Sequence, residues 1–339
     1  MIRRLLPLLP LTALVAGCQG IQTSGDDAGR DSAIIRDLLV TFTIVTAIFF
    51  VAVMAFLIAA YWRRGGKRQD GISDEDGVSH ERSLRLGFFF WVGAVGGALT
   101  VLTLASYFTD RGLAQANPDN KPVLSIALTG NQWWWDVQYH YEDPSKNIRT
   151  ANEIHLPVGI PAMIYLQSND VIHSFWVPNL AGKQDLIPGR VNDIVLMPRR
   201  VGHYRAQCAE YCGLQHAHMA LDVFVDTPAD FAKWEAAQEQ PAPQPTTPLA
   251  QAGYAYFMSR ECSTCHNITG TTASATVGPD LTHVASRATI AAGTLPMNRG
   301  SLYAWIADPQ GVKPGNNMPY VGLNADELHA VEAYLETLK

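Results

Sequence analysis

Charge is scarce in this sequence: Asp, Glu, Lys and Arg make up 17% of its 339 residues, against 47% apolar ones. That balance excludes a disordered chain, which cannot collect enough apolar surface to fold. The formal net charge of −6 argues against a general nucleic-acid binder, whose phosphate contacts need clustered Lys and Arg. Cysteine is sparse and odd in number. The five are Cys18 alone, Cys208 with Cys212, and Cys262 with Cys265, a grouping that fits three separate chemistries better than a disulfide framework. A length of 339 residues suggests two or three domains, and a mean hydropathy near zero hides local extremes.

The extremes are near the N-terminus. Leu38 to Trp62 is a run of 25 residues without a charge, and Gly87 to Phe108 is another of 22. Each can cross a hydrocarbon core of about 30 Å at 1.5 Å per residue, and neither keeps a polar face, as a buried soluble helix would. Between them, residues 63 to 86 carry Arg63, Arg64, Lys67, Arg68, Arg82 and Arg85, whereas residues 19 to 37 carry only Arg30 and Arg36. The positive-inside rule puts the 63–86 loop in the cytoplasm, with both flanking parts outside. Residues 1 to 18 have a basic start, an apolar stretch and small residues before Cys18, the pattern of an export signal. Val15-Ala16-Gly17-Cys18 resembles a bacterial lipobox, which would make Cys18 a lipid-bearing N-terminus; an ordinary signal peptide with an incidental Cys is the alternative.

From about Val123 to Asp226 short apolar segments recur between turn residues, and strict alternation is visible in 123–128 and 162–167. Many short strands at regular intervals predict a sandwich or barrel. Thr227-Pro228-Ala229-Asp230 then places an N-cap hydroxyl, Pro at N1 and an acid at N3, predicting a closing helix. The chemistry sits in Cys208-Ala-Glu210-Tyr-Cys212-Gly-Leu-Gln-His216-Ala-His218-Met219. Thiolate, imidazole and thioether in one segment are ligands that copper favours. Extended, Cys208 and Cys212 would stand about 13 Å apart, too far to share a metal, so the segment must fold into a compact loop.

This segment resembles the CuA loop of the cytochrome c oxidase subunit II family. Residues 170–178, DVIHSFWVP, resemble the family strand that carries a further histidine ligand; 185–190, DLIPGR, and the Trp-rich 130–135, GNQWWW, also match. The resemblance covers residues 35 to 235. It implies an all-β cupredoxin-like Greek-key barrel at 115–237, behind a two-helix transmembrane hairpin at 38–110 and an extracytoplasmic tail at 19–37. It implies a binuclear copper centre, with Cys208 and Cys212 as bridging thiolates, His173 and His216 as terminal ligands, Met219 as a weak ligand and the Glu210 carbonyl as a sixth. It further implies Trp133 as the ring through which electrons enter, and the Glu210 side chain at a magnesium site shared with subunit I. In a strand, Trp133 and Trp135 would face one way and Trp134 the other. His155, His203 and His218 match no ligand role and are expected to be surface or hydrogen-bonded. The second apolar run lacks the acidic residue that many family members have at its start; Glu81 is the nearest carboxylate.

Residues 238 to 248 contain four prolines and no bulky apolar side chain, predicting an extended spacer. Beyond it, at 249–339, Gly253 to Met258 and Leu302 to Ile306 read as short helices, and Leu328, Val331, Leu335 and Leu338 as one helical stripe after the N-cap Asn324. Cys262-Ser-Thr-Cys265-His266 allows two thioether bonds to haem, with His266 reaching the iron. Asn317-Met318-Pro319 resembles the sixth-ligand segment of class I cytochromes c, and Met297 is the rival ligand. The tail is therefore expected to be an all-α class I cytochrome c domain holding one covalent haem c.

Together these parts resemble subunit II of a caa-type haem-copper oxidase. A multidomain membrane protein is expected, in a bacterial inner membrane, with its soluble domains outside. Subunits I and III, membrane lipid and a cytochrome c donor are the expected partners, and nucleic acid is not. The linker would set how often the haem domain docks on the barrel. Residues 115 to 240 hold 14 acidic against 9 basic residues, which suits a basic cytochrome. A CuA-type nitric oxide reductase subunit, or a tethered redox-sensing module, is the alternative.

Overall fold

The computed structural model describes residues 20–64, 74–114 and 124–339; the Cys18 signal region lies outside them. The chain divides into one unit of residues 34–116 and another made of the N-terminal segment to Ala33 with residues 117–339.

Two helices form the smaller unit, α1 (Arg30–Arg64) and α2 (Asp74–Ala114). Their apolar stretches, Arg30–Trp62 and Glu81–Ala114, are long enough to cross a bilayer. Phe50, Phe56 and Phe90 point outward, as lipid-facing side chains do. The hydroxyls of Thr41, Thr43, Thr46, Thr100 and Thr103 donate to the carbonyl four residues back, which satisfies them without water. Rings of Phe49 and Trp91 meet edge to face at 5.4 Å. Helix α2 reaches back to Asp74, into the segment read as a loop, because propagating an existing helix costs little. Glu81 pairs with Arg85 one turn on.

Ten strands build the first soluble domain: β1 (Leu124–Asn131), β2 (Trp134–His140), β3 (Ile148–Ala151), β4 (Glu153–Pro157), β5 (Ala162–Ser168), β6 (His173–Trp176), β7 (Lys183–Leu186), β8 (Asn192–Leu196), β9 (Gly202–Cys208) and β10 (Ala220–Asp226). They form two five-stranded sheets, ordered β3-β2-β1-β5-β8 and β4-β10-β9-β6-β7. The expected barrel is thus a cupredoxin-like sandwich. Alternating residues of β1 and β5 point inward, and Ile126, Leu128, Ile164, Leu166, Trp135 and Phe175 fill the space between the sheets. Burying each such side chain contributes roughly 1.5–3 kcal/mol. Strands β3 and β7 are the ones the sequence pattern does not signal; each has four residues and little alternation.

The segment before α1 lies on this sandwich. Arg205 N–H donates to Ile21 at 2.8 Å, Thr23 N–H to the Asn179 side chain at 3.0 Å, and Asp26 pairs with Arg200. Helix α3 (Pro228–Gln238) closes the domain, with Thr227 accepting from Asp230 N–H.

The C-terminal domain is helical: α4 (Pro248–Ser259), α5 (Cys262–Cys265), α6 (Arg299–Ala307), α7 (Pro309–Val312) and α8 (Ala325–Leu335). Helix α8 starts at a full capping box between Asn324 and Glu327, and Leu328, Val331, Leu335 and Leu338 are buried. At its crossing with α4, Gly253 lies so close to the Ala330 carbonyl that any Cβ would overlap it. The Pro-rich segment does not stand off as a free spacer: Ala242 is buried in this domain's core, and its N–H donates to Thr269 at 2.9 Å. Its lack of bulky side chains lets it lie flat. The two soluble domains are docked, with Ala220 N–H donating to Ala292 at 3.0 Å and Thr289 Oγ1 to Asp222 at 2.5 Å.

Candidate functional site

The copper-type ligands come from two neighbouring strands and one return loop. His173 opens β6, Cys208 ends β9, and residues 209–219 fold back to β10 through a short 3-10 turn at His216–His218. Strand pairing of β6 with β9 brings His173 Nδ1 within 3.7 Å of Cys208 Sγ. The two sulfurs are 3.7 Å apart, far beyond an S–S bond of about 2.05 Å, yet close enough for one atom to bond both at about 2.3 Å. Cys212 Sγ also lies 3.6 Å from His216 Nδ1 and 3.8 Å from Met219 Sδ, and the Glu210 carbonyl is 3.3 Å from Cys208 Sγ. His173, Cys208 and Cys212 form a buried cluster able to hold a metal ion. The donors fit copper: soft sulfur with imidazole, on a buried and hydrogen-bonded frame.

The electrostatics agree. The hydrogen bond between the two cysteine sulfurs, with further support from His173, holds the Cys208 thiol well below its usual value, whereas Cys212 is pushed up by Cys208 and by burial. Burial works against a charged His173, but Cys208 and Asp170 outweigh it and raise that imidazole. The sequence pattern does not mark Asp170 as a partner of a ligand. Its Oδ1 meets His173 Nε2 at 2.8 Å, and its Oδ2 accepts from Gln132 N–H at 2.6 Å, so it fixes the ring with Nδ1 toward the sulfurs. A carboxylate three residues before a candidate ligand histidine is the signal that was available. Gly130 makes room for that ring: a Cβ there would lie 2.7 Å from His173 Cδ2.

The three tryptophans separate. Residues 132 and 133 form the turn between β1 and β2, so Trp133 belongs to a turn and not to the strand pattern. Trp135 is buried between the sheets. Trp133 Nε1 donates to the Cys212 carbonyl at 3.0 Å, and Gln132 Nε2 to the same oxygen at 2.7 Å. Gly213, at φ +112°, lies against the Trp133 ring.

Trp133 also lines a cleft in the C-terminal domain. This cleft, about 1370 Å³ with its open mouth included, is walled mainly by apolar side chains such as Phe257, Leu281, Ile306 and Leu335, and by Cys262, Cys265, His266 and Met318. His266 Nδ1 bonds the Pro279 carbonyl at 2.7 Å, leaving Nε2 for a ligand, and burial pushes its imidazole below the usual value. Gly278 gives the ring space. Met318 is held by its N–H on Asn316 Oδ1 at 2.7 Å and its carbonyl on Gln310 Nε2 at 3.0 Å. Met297 does not line the cleft; it packs on the outer side of the helical core. A large apolar slot with paired thiols and an oriented imidazole fits a covalently held haem.

Lys313, also unsignalled in the sequence, is 2% exposed, and its Nζ donates to the Trp133, His218 and Ala291 carbonyls at 2.7, 2.7 and 3.0 Å. Burial pushes its ammonium down to about 7. His155, His203 and His218 bond Asp226, Asp222 and Gln215, each near 2.7–2.8 Å, and none belongs to the cluster of His173, Cys208 and Cys212. The Glu210 side chain is exposed.

Family models agree with both regions. Residues 142–225 match the periplasmic domain of cytochrome c oxidase subunit II, and residues 250–339 match cytochrome c. Cytochrome c oxidase subunit 2 of Alkalihalophilus pseudofirmus is 32% identical over 342 residues, covering 99% of this chain and 97% of its own. That of Bacillus subtilis is 26% identical over 359 residues, covering 99% and 96%. Among solved structures, the periplasmic domain of subunit II of cytochrome oxidase from Bradyrhizobium japonicum aligns at 30% identity. That alignment covers 35% of this chain and 95% of its own, with a TM-score of 0.33.

Proposed function

Because the chain belongs to the cytochrome c oxidase subunit II family, we propose that it is the subunit at which electrons enter a respiratory haem-copper oxidase. Electrons arrive from an external cytochrome c at the C-terminal domain, cross at Trp133, and leave through the 208–219 loop toward subunit I, where oxygen is reduced and protons are pumped. Cys208, Cys212, His173, His216, Met219 and the Glu210 carbonyl would hold two copper ions; Cys262 and Cys265 would hold the haem covalently, with His266 and Met318 on its iron. Each group would supply a one-electron store whose geometry changes little on reduction.

The residues contribute rigidity and alignment. Asp170 locks the His173 imidazole on β6 and Gln132 the Cys212 carbonyl of the loop, so little must move per electron. The observation that carries the reading is Trp133, which touches the haem-type cleft and donates to the Cys212 carbonyl. The exposed Glu210 carboxylate is free to serve the magnesium site at subunit I. Packing of residues 20–29 on the sandwich supports a topology in which both flank the two spans on one side, the extracytoplasmic one. Cys18 would carry lipid there, and subunit III completes the assembly.

The test is metal and haem analysis of the purified complex together with its gas consumption. Covalent haem on this chain, the near-infrared band of a copper pair and oxygen consumption are expected. Absence of that band, or turnover of nitric oxide in place of oxygen, overturns the reading.

A further inference from the structure

Lys313 has no part in holding either group, yet it is the most deeply buried cation at the contact of the two soluble domains. It extends from the end of α7, and its three acceptors are distributed across the boundary: the Trp133 and His218 carbonyls belong to the sandwich, the Ala291 carbonyl to the haem domain. Among the described residues no carboxylate pairs with it; three carbonyls take its N–H groups, and the nearby Cys212 sulfur favours its charge through space. Burying an ammonium this way is costly unless all its N–H groups are used, and here all three are. The neighbouring chain adds direct contacts. Gln215 Nε2 donates to the Pro314 carbonyl at 2.7 Å, Asn317 Nδ2 to the Gln132 carbonyl at 3.2 Å, and Gly315 packs against Leu214 and Trp133. The segment so pinned, 313–317, runs directly into Met318.

We infer that Lys313 is a positioning residue that locks the haem domain onto the copper loop, fixing the Met318 side of the cleft against Trp133 for internal electron transfer. The inference rests on the function proposed above. It makes docking a built feature of the fold and not a chance encounter governed by the linker. Removing the ammonium leaves buried carbonyls on both domains without their donor, which favours separation of the two surfaces. Because transfer requires the docked arrangement, the internal rate falls with the docked fraction.

The experiment uses the intact oxidase complex carrying Lys313→Met, an unbranched side chain of similar length with no donor. Internal transfer is timed after rapid photoreduction of the haem, and the copper and haem spectra are recorded on the same sample. With both spectra as in the wild type, a transfer rate at least tenfold slower is expected, together with a new dependence on solvent viscosity as docking becomes the gate. An unchanged rate overturns the inference. Should the Met variant fail to load either group, Lys313→Gln is read by the same criteria. Its amide is one bond shorter and offers two N–H groups to three carbonyls, so slowing is expected there also, and a wild-type rate again overturns the inference. Wild-type complex lacking copper or haem would instead overturn the underlying assignment of the sites, which separates the two failures.

Discussion

The two candidate sites meet at Trp133 and are built by opposite means. In the copper loop the donor atoms converge on one another, within 4.8 Å for His173, Cys208 and Cys212, and the sandwich holds them by backbone pairing. In the C-terminal domain the candidate ligands stand around a broad apolar cleft, and short helices hold them through caps and one close crossing at Gly253. A site whose ligands touch one another is positioned by its scaffold; a site whose ligands surround a large group shares that task with the group. Substitutions should therefore act locally and chemically in the loop, and through packing or ligation in the cleft.

The strongest break is Cys208→Ser or Cys212→Ser. Loss of one bridging sulfur should abolish the near-infrared copper band and reduce oxygen consumption by about two orders of magnitude or more, while the haem stays covalently bound on a gel. Met318→Leu comes next. The haem should remain attached, but its potential should fall by on the order of 100 mV as the thioether is lost, measured by redox titration. Met297→Leu should leave the potential unchanged, since Met297 lies outside the cleft. Asp170→Asn tests the loop more finely. The amide can still hydrogen-bond His173 but no longer supports it as an anion, and copper affinity should drop about 10–100-fold in competition with a chelator. The mildest is Asn324→Ala, which removes the α8 cap and should cost about 1 kcal/mol, seen as a lower unfolding midpoint of the haem domain with the copper spectrum intact.

What the sequence reveals follows the same division. Alternation announces β1 and β5, and cap residues announce α3 and α8, because these are local preferences. The candidate copper ligands of residues 208–219 and the Cys262-Cys265-His266 motif are readable from chemistry and spacing within one segment, whereas His173 is placed by the family resemblance alone. Gln132 and Lys313 are not readable, for their partners lie 80 and 180 residues away, and a lone Lys or Gln carries no periodicity; Asp170 is three residues from His173, but a single carboxylate at that spacing is too common to stand out. The Pro-rich segment shows the converse limit. Its composition states that it is extended, but its seat against Thr269 is a tertiary fact.

The docked contact also has a kinetic meaning. On the proposed function, the step from haem domain to copper loop is first order and independent of donor concentration. The contacts at Lys313, Gln215 and Asn317 join ammonium or amide groups to backbone carbonyls, and Lys313 and Gln215 are buried; ions in solution screen such contacts far less than surface ion pairs. Any ionic-strength dependence of turnover then reports only the arrival of the external donor, so a salt series separates the bimolecular encounter from the internal transfer without altering a residue.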